Sequence, residues 1–147
     1  MQNLIVRGHK KTKVTALRMV EDFDAGPVYL KSSLNLDGSA QEIFERFADL
    51  AFDMMNEIVL AQPEPVVQSG EATEFKRRTP AQSQMPDTGE IASIYDHIRM
   101  LDADTYPHAF LDHGDLRLSF HQAVLQGDVV RATVSITSRP ESDDEDK

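Results

Sequence analysis

One segment of this chain is committed to its structure by pattern alone. Ser39-Ala40-Gln41-Glu42 is a capping box, in which the Ser39 hydroxyl takes the amide three residues on and the Glu42 carboxylate reaches back to the cap amide. Ile43, Phe44, Phe47, Leu50, Ala51, Met54, Met55, Ile58 and Val59 then recur at three- and four-residue spacing. The pattern predicts a helix from Ser39 to Ala61 with an apolar stripe wide enough to face a core. Pro63 and Pro65 end it, because proline lacks the amide and restricts the residue before it. Each large member of the stripe contributes roughly 1.5–3 kcal/mol if fully buried. A stripe of this kind is core, and no ligand role attaches to it.

Strand signals precede the helix. Val14–Val20 is rich in β-branched residues and reads as a strand ended by the turn Asp24-Ala25-Gly26-Pro27. Val28–Leu34 reads as a second strand, bounded by Asp37-Gly38. Beyond the helix, a short strand is expected at Ala72–Lys76 and a second helix from Asp87, with Asp87-Thr88-Gly89-Glu90 as its start. The last third alternates apolar and polar at Leu116, Leu118 and Phe120, and again at Val130, Ala132, Val134 and Ile136 after a Gly127-Asp128 turn. The expected fold class is α/β: the C-terminal part of an open α/β sheet domain plus a small α+β C-terminal subdomain. The expected boundaries are 1–75 for the sheet domain, 76–89 for a linker and 90–138 for the subdomain. Residues 139–147, with five acids, two bases and no large apolar residue, are expected to form a disordered acidic tail.

Charge and composition exclude several functions. The 147 residues carry a net charge of −10, which argues against a nucleic-acid partner, since phosphate neutralisation needs clustered Lys and Arg. No apolar run approaches the ~18 residues of a membrane span, and no signal peptide opens the chain. A cytoplasmic protein with no membrane partner is expected. With no cysteine, a thiolate nucleophile and the usual structural zinc sites are excluded. The five histidines, His9, His97, His108, His113 and His121, lack metal-ligand spacing, so no metal is expected. What remains is Asp24, an acid at a turn with the small neighbours Ala25 and Gly26, open to a substrate and able to accept a proton.

Gly8-His9-Lys10-Lys11-Thr12-Lys13-Val14-Thr15, running on through Met19 to Asp24-Ala25-Gly26-Pro27, resembles the folate-dependent formyltransferases. Lys76-Arg77-Arg78-Thr79-Pro80-Ala81-Gln82-Ser83 is similar to the family's Arg-Arg-Thr-Pro-x-x-Ser segment. Ile98-Arg99-Met100 and Tyr106-Pro107-His108-Ala109-Phe110 are similar to its Ile-Arg-Ala and Pro-x-Ala-Phe continuation. These segments occur in family order, and they resemble the amino-sugar-nucleotide enzymes more than a tRNA-directed one. The resemblance implies transfer of a formyl group from 10-formyltetrahydrofolate, as co-substrate, to a primary amine, a small molecule. It places the family's catalytic acid on Asp24, beside an Asn and a His that hold the oxyanion and move the proton. The family's Asn-x-His motif is absent from this sequence. The expectation is therefore a family member's later half, with the N-terminal cofactor-binding half missing and no activity alone. A non-catalytic binding or homo-oligomerising module derived from the family is the alternative. Lys10, Lys11 and Lys13 are candidate contacts to substrate phosphates, and Arg77 and Arg78 are expected to tie the linker to the core.

Overall fold

A computed structural model describes residues 1–70 and 78–140; the expected strand at Ala72–Lys76, Arg77 and residues 141–147 of the expected tail lie outside the described residues. The chain divides into two compact units, Asn3–Lys76 with Met1, and Arg77–Lys147 with Gln2.

The first unit is built around the capped helix. A short helix α1 (Gln2–Val6), which the sequence pattern did not announce, buries Ile5. Strands β1 (Lys11–Leu17) and β2 (Val28–Asn35) pair antiparallel, with Thr12 opposite Leu34 and Lys13 opposite Ser33. Helix α2 (Ala40–Ala61) packs on this pair and buries Ala40, Ile43 and Met54. The capping box forms as expected: Glu42 N–H donates to Ser39 Oγ at 3.2 Å and Ser39 N–H to Glu42 Oε2 at 2.7 Å. Residue exposure alternates along β2, Leu34 and Leu36 being buried and Lys31, Ser33 and Asn35 exposed. Val28 also bridges antiparallel to Val66, so the segment after α2 returns along β2.

The first strand departs from its expected span. It runs Lys11–Leu17 rather than Val14–Val20. A register shift at Ala16/Leu17 leads into one last rung, in which Arg18 N–H donates to the Pro27 carbonyl at 2.9 Å. Met19 and Val20 follow in an exposed loop. Their strand-like composition is overridden because β2 offers no partner beyond Pro27.

The second unit contains a 3-10 turn at Pro80–Ser83, helix α3 (Ile91–Arg99), and strands β3 (Ala109–His113), β4 (Leu116–Gln126) and β5 (Val129–Ser138). The strands form one antiparallel sheet in the order β3-β4-β5. Its core comprises Ile98, Met100, Leu101, Ala103, Ala109 and Phe110. Arg99 is also buried, held by Asp96 at 2.7 Å. Within the span read as linker, Gln84 bridges parallel to Phe110, and Met85 N–H donates to the Phe110 carbonyl at 2.7 Å. The second helix starts at Ile91, not near Asp87. Its cap is Glu90, which makes no side-chain cap hydrogen bond. Gly89 adopts φ +155 in the stretch before it, a conformation outside the helical range.

Candidate functional site

The connection between β1 and β2 carries the one acid singled out by the sequence. Asp24 lies seven positions beyond the end of β1, so it belongs to a loop and does not close the strand. Its φ is +57, a left-handed conformation that Asp tolerates better than most side chains. The next turn residue is fixed by sterics instead. A Cβ on Gly26 would lie 1.7 Å from the Arg18 carbonyl oxygen, so only glycine lets the two ends of the loop come this close.

A distant side chain completes the clamp. The Gln68 amide donates to the carbonyl oxygens of Asp24 and Gly26, both at 2.7 Å. The backbone of the turn is thereby pinned, while the Asp24 side chain stays exposed; among the described residues no hydrogen bond or ion pair engages its carboxylate. The loop surrounds an open depression of about 340 Å3 lined by Leu17 to Asp24 and Gly26. Met19 and Phe23 project almost fully into solvent beside it. An unpaired acid, two apolar side chains and a pinned backbone line this depression. The volume is at the low end for ligand pockets and one loop supplies all of it. The described residues of this one loop do not enclose a folate-sized molecule.

The three lysines sit elsewhere. Lys11 and Lys13 alternate on the exposed face of β1, with Lys31 of β2 on the same face. Lys13 Nζ donates to Ser33 Oγ at 2.8 Å, and the Lys10 carbonyl accepts from Leu36 N–H at 2.9 Å. At about 3.4 Å rise per residue, Lys11 stands roughly 20 Å along the strand from Leu17, where the Asp24 loop begins. The structure therefore does not bring the lysines together with Asp24. It groups them with Lys31, which a period-two reading of β2 would have placed there. Gln68 left no signal: its partners are 42 and 44 residues away.

The second unit holds its polar residues in structural roles. Arg78 donates to the Gln82 carbonyl at 2.5 Å, within the 3-10 turn. Asp112 and Arg117 pair across β3 and β4 at 2.8 and 2.9 Å, and the guanidinium lies 3.8 Å over the Phe110 ring. That hydrogen bond holds the Asp112 carboxyl below the usual aspartate range. His97 is part-buried with Nε2 3.3 Å from the Ser83 carbonyl, and burial pushes its imidazole below the ordinary value. The His108 and His121 rings stack at 5.4 Å. Among the described residues no three His, Asp or Glu side chains converge as metal ligands would.

The fold of both units and the order of their segments define a class: this chain is similar to the formyltransferases along both units. Residues 80–137 match the family model described as the C-terminal domain of methionyl-tRNA formyltransferase. A methionyl-tRNA formyltransferase from Streptococcus pyogenes serotype M2 is 27% identical over 128 residues, 82% of this chain and 40% of that protein. The structure of methionyl-tRNA formyltransferase from Clostridium thermocellum superposes with a TM-score of 0.90 at 42% identity, covering 94% of this chain and 61% of that one. HypX from Aquifex aeolicus in complex with tetrahydrofolic acid shares the fold, with a TM-score of 0.62 at 15% identity over 83% of this chain and 22% of its own. The chain thus spans about 40% of the length of the curated relatives it matches. Two of these three proteins are named for methionyl-tRNA. A Mycobacterium tuberculosis protein described as a candidate sugar N-formyltransferase also shares the fold, with a TM-score of 0.61 at 16% identity over 77% of this chain and 52% of its own. An amino-sugar acceptor, expected from the sequence, is therefore not shown. Among the described residues no helix is long and apolar enough to cross a membrane.

Proposed function

We propose that this chain contributes the proton-handling acid to a formyl-transfer site, with 10-formyltetrahydrofolate as co-substrate and a primary amine as acceptor. The observation that carries the reading is Asp24: its backbone is clamped by Gln68 and Gly26, while its carboxylate is exposed and unpaired beside a depression. An amine that attacks a formyl carbon must lose a proton as the new C–N bond forms, and Asp24 takes or relays it. Oxyanion stabilisation falls to Asn and His groups in a part of the family's fold that this sequence does not contain. The names of the relatives favour methionyl-tRNA as acceptor. Lys11, Lys13 and Lys31, presented on one face of the sheet, suit the phosphates of such a carrier. An amino-sugar nucleotide is the second reading, favoured by the net charge of −10.

The test combines the chain with the part of the Clostridium thermocellum enzyme that the superposition leaves out, and measures formyl transfer to methionyl-tRNA and to an amino-sugar nucleotide. Turnover with one acceptor, lost at least 100-fold in Asp24→Asn, is the expected result. Full turnover in Asp24→Asn removes the acid from the mechanism.

A further inference from the structure

The second unit holds a depression that the formyl-transfer reading does not use. Its volume is about 640 Å3, within the ~300–1,000 Å3 typical of small-molecule sites. Arg78, Thr79, Ser83, Leu101, Thr105 and Tyr106 line it, and each belongs to the second unit. Two stretches of chain bring them together. Arg78 and Thr79 lead into the 3-10 turn Pro80–Ser83, and the loop between α3 and β3 carries Leu101, Thr105 and Tyr106. The turn is held to α3, since Ser83 is buried and its carbonyl lies 3.3 Å from His97 Nε2. The loop is closed on itself, with Tyr106 N–H donating to the Ala103 carbonyl at 3.0 Å.

Charge sets this depression apart. The chain carries a net −10, yet no Asp or Glu lines it and one arginine does. Among the described residues Arg78 has no carboxylate partner; its guanidinium donates to the Gln82 carbonyl, which occupies one of five N–H donors. Burial lowers the Arg78 pKa, with no anion to offset the desolvation. Burial also pushes the Tyr106 phenol up, which keeps it a neutral hydroxyl. A part-buried guanidinium among hydroxyl groups, with no acid in the lining, is complemented by an anion.

Size and shape narrow the class. An inorganic anion would leave most of the space unfilled, since a single water takes a share of ~30 Å3. Leu101, Pro80 and Pro107 supply apolar surface that such an ion does not use. The guanidinium fork and the Thr79 and Thr105 hydroxyls offer more donors than the two oxygens of a carboxylate need, and they suit the three terminal oxygens of a phosphate monoester.

We propose that this depression binds a phosphate monoester carried on a small organic body. Arg78, Thr79 and Thr105 hold the phosphate, and the body lies against Leu101, Pro80 and Pro107. The site is independent of the acid on Asp24.

The experiment titrates the isotopically labelled 147-residue chain, followed by NMR, with adenosine monophosphate, glucose 6-phosphate, adenosine, inorganic phosphate and acetate. At least one ester is expected to bind tenfold or more tightly than inorganic phosphate, adenosine and acetate, and the better ester identifies the body. Shifts are expected at the amides of Thr79, Ser83, Thr105 and Tyr106. Arg78→Met, checked for an unchanged circular dichroism spectrum, should weaken the ester by about tenfold or more, the loss of a charge-assisted contact. Arg131→Met, on an exposed guanidinium of β5, should leave it unchanged. Thr105→Val, at an exposed position, should weaken the ester even where Arg78→Met unfolds the unit. His97 adds a readout that a structural Arg78 would not move. Its imidazole is held low by burial and, further, by the Arg78 charge, so bound phosphate should shift its titration to higher pH. No binding of either ester, no preference over inorganic phosphate, binding that survives Arg78→Met, or shifts confined to the Lys11, Lys13 and Lys31 face would each overturn the proposal.

Discussion

Replacing Gly26 by alanine tests the central geometric claim about the turn. The new Cβ would sit 1.7 Å from the Arg18 carbonyl oxygen and 2.9 Å from its carbon. Ordinary van der Waals contact requires 3.4 Å or more, so the two backbone segments must separate by about 1.7 Å. Two interactions depend on their present spacing: the Arg18 N–H to Pro27 carbonyl bond and the Gln68 amide on the Asp24 and Gly26 carbonyls. Inserting a methyl into a close contact costs about 1–3 kcal/mol. Losing one or two hydrogen bonds of typical net worth, about 1 kcal/mol each, falls in the same range. The expected loss is therefore about 2 kcal/mol, confined to the first unit. Urea unfolding followed by hydrogen exchange with mass spectrometry reads both numbers. Exchange at residues 18–28 and 66–68 should rise, while β3, β4 and β5 keep wild-type protection. Unchanged exchange in the loop together with unchanged stability would mean that the chain does not hold Gly26 against Arg18, and the pinned presentation of Asp24 would go with it.

Two further outcomes follow from single side chains. Burial lowers the His97 pKa, so the folded second unit prefers neutral imidazole, and the unfolded chain binds more protons as pH falls through 6.5. Stability of that unit should therefore decline as pH drops from about 7 toward 5, and His97→Gln should flatten the decline; a pH series of urea midpoints that stays parallel to wild type would contradict the burial of this ring. In the first unit, Ser39→Ala removes the acceptor for Glu42 N–H and leaves the reciprocal Ser39 N–H bond in place. It should cost about 1 kcal/mol in thermal or urea unfolding, and no measurable cost would show that the cap is dispensable.

The sequence by itself determined what short-range interactions decide. The capping box joins residues three apart, and the apolar stripe of α2 repeats every three or four, so Ser39 and Glu42 announce the helix and Ile43 and Met54 its core face. Phe47, Met55 and Val59 of the same stripe, expected in the core, stay exposed. The alternation in β4 and β5 around Gly127-Asp128 was legible for the same reason, since side-chain direction in a strand has a period of two. Asp24 was legible as a residue but not as a position. Where β1 stops depends on how far β2 runs beside it, and what fixes the turn is the approach of Arg18 to Gly26 and a glutamine 44 residues downstream. The start of α3 was misplaced because the Asp87 pattern looks like a cap, yet the backbone at Gly89 is not helical. The tertiary structure alone separated the lysines from the acid, because strand length, about 3.4 Å for every residue, outweighs their closeness in sequence. It alone showed that one helix carries two apolar faces, with the sheet covering only the first.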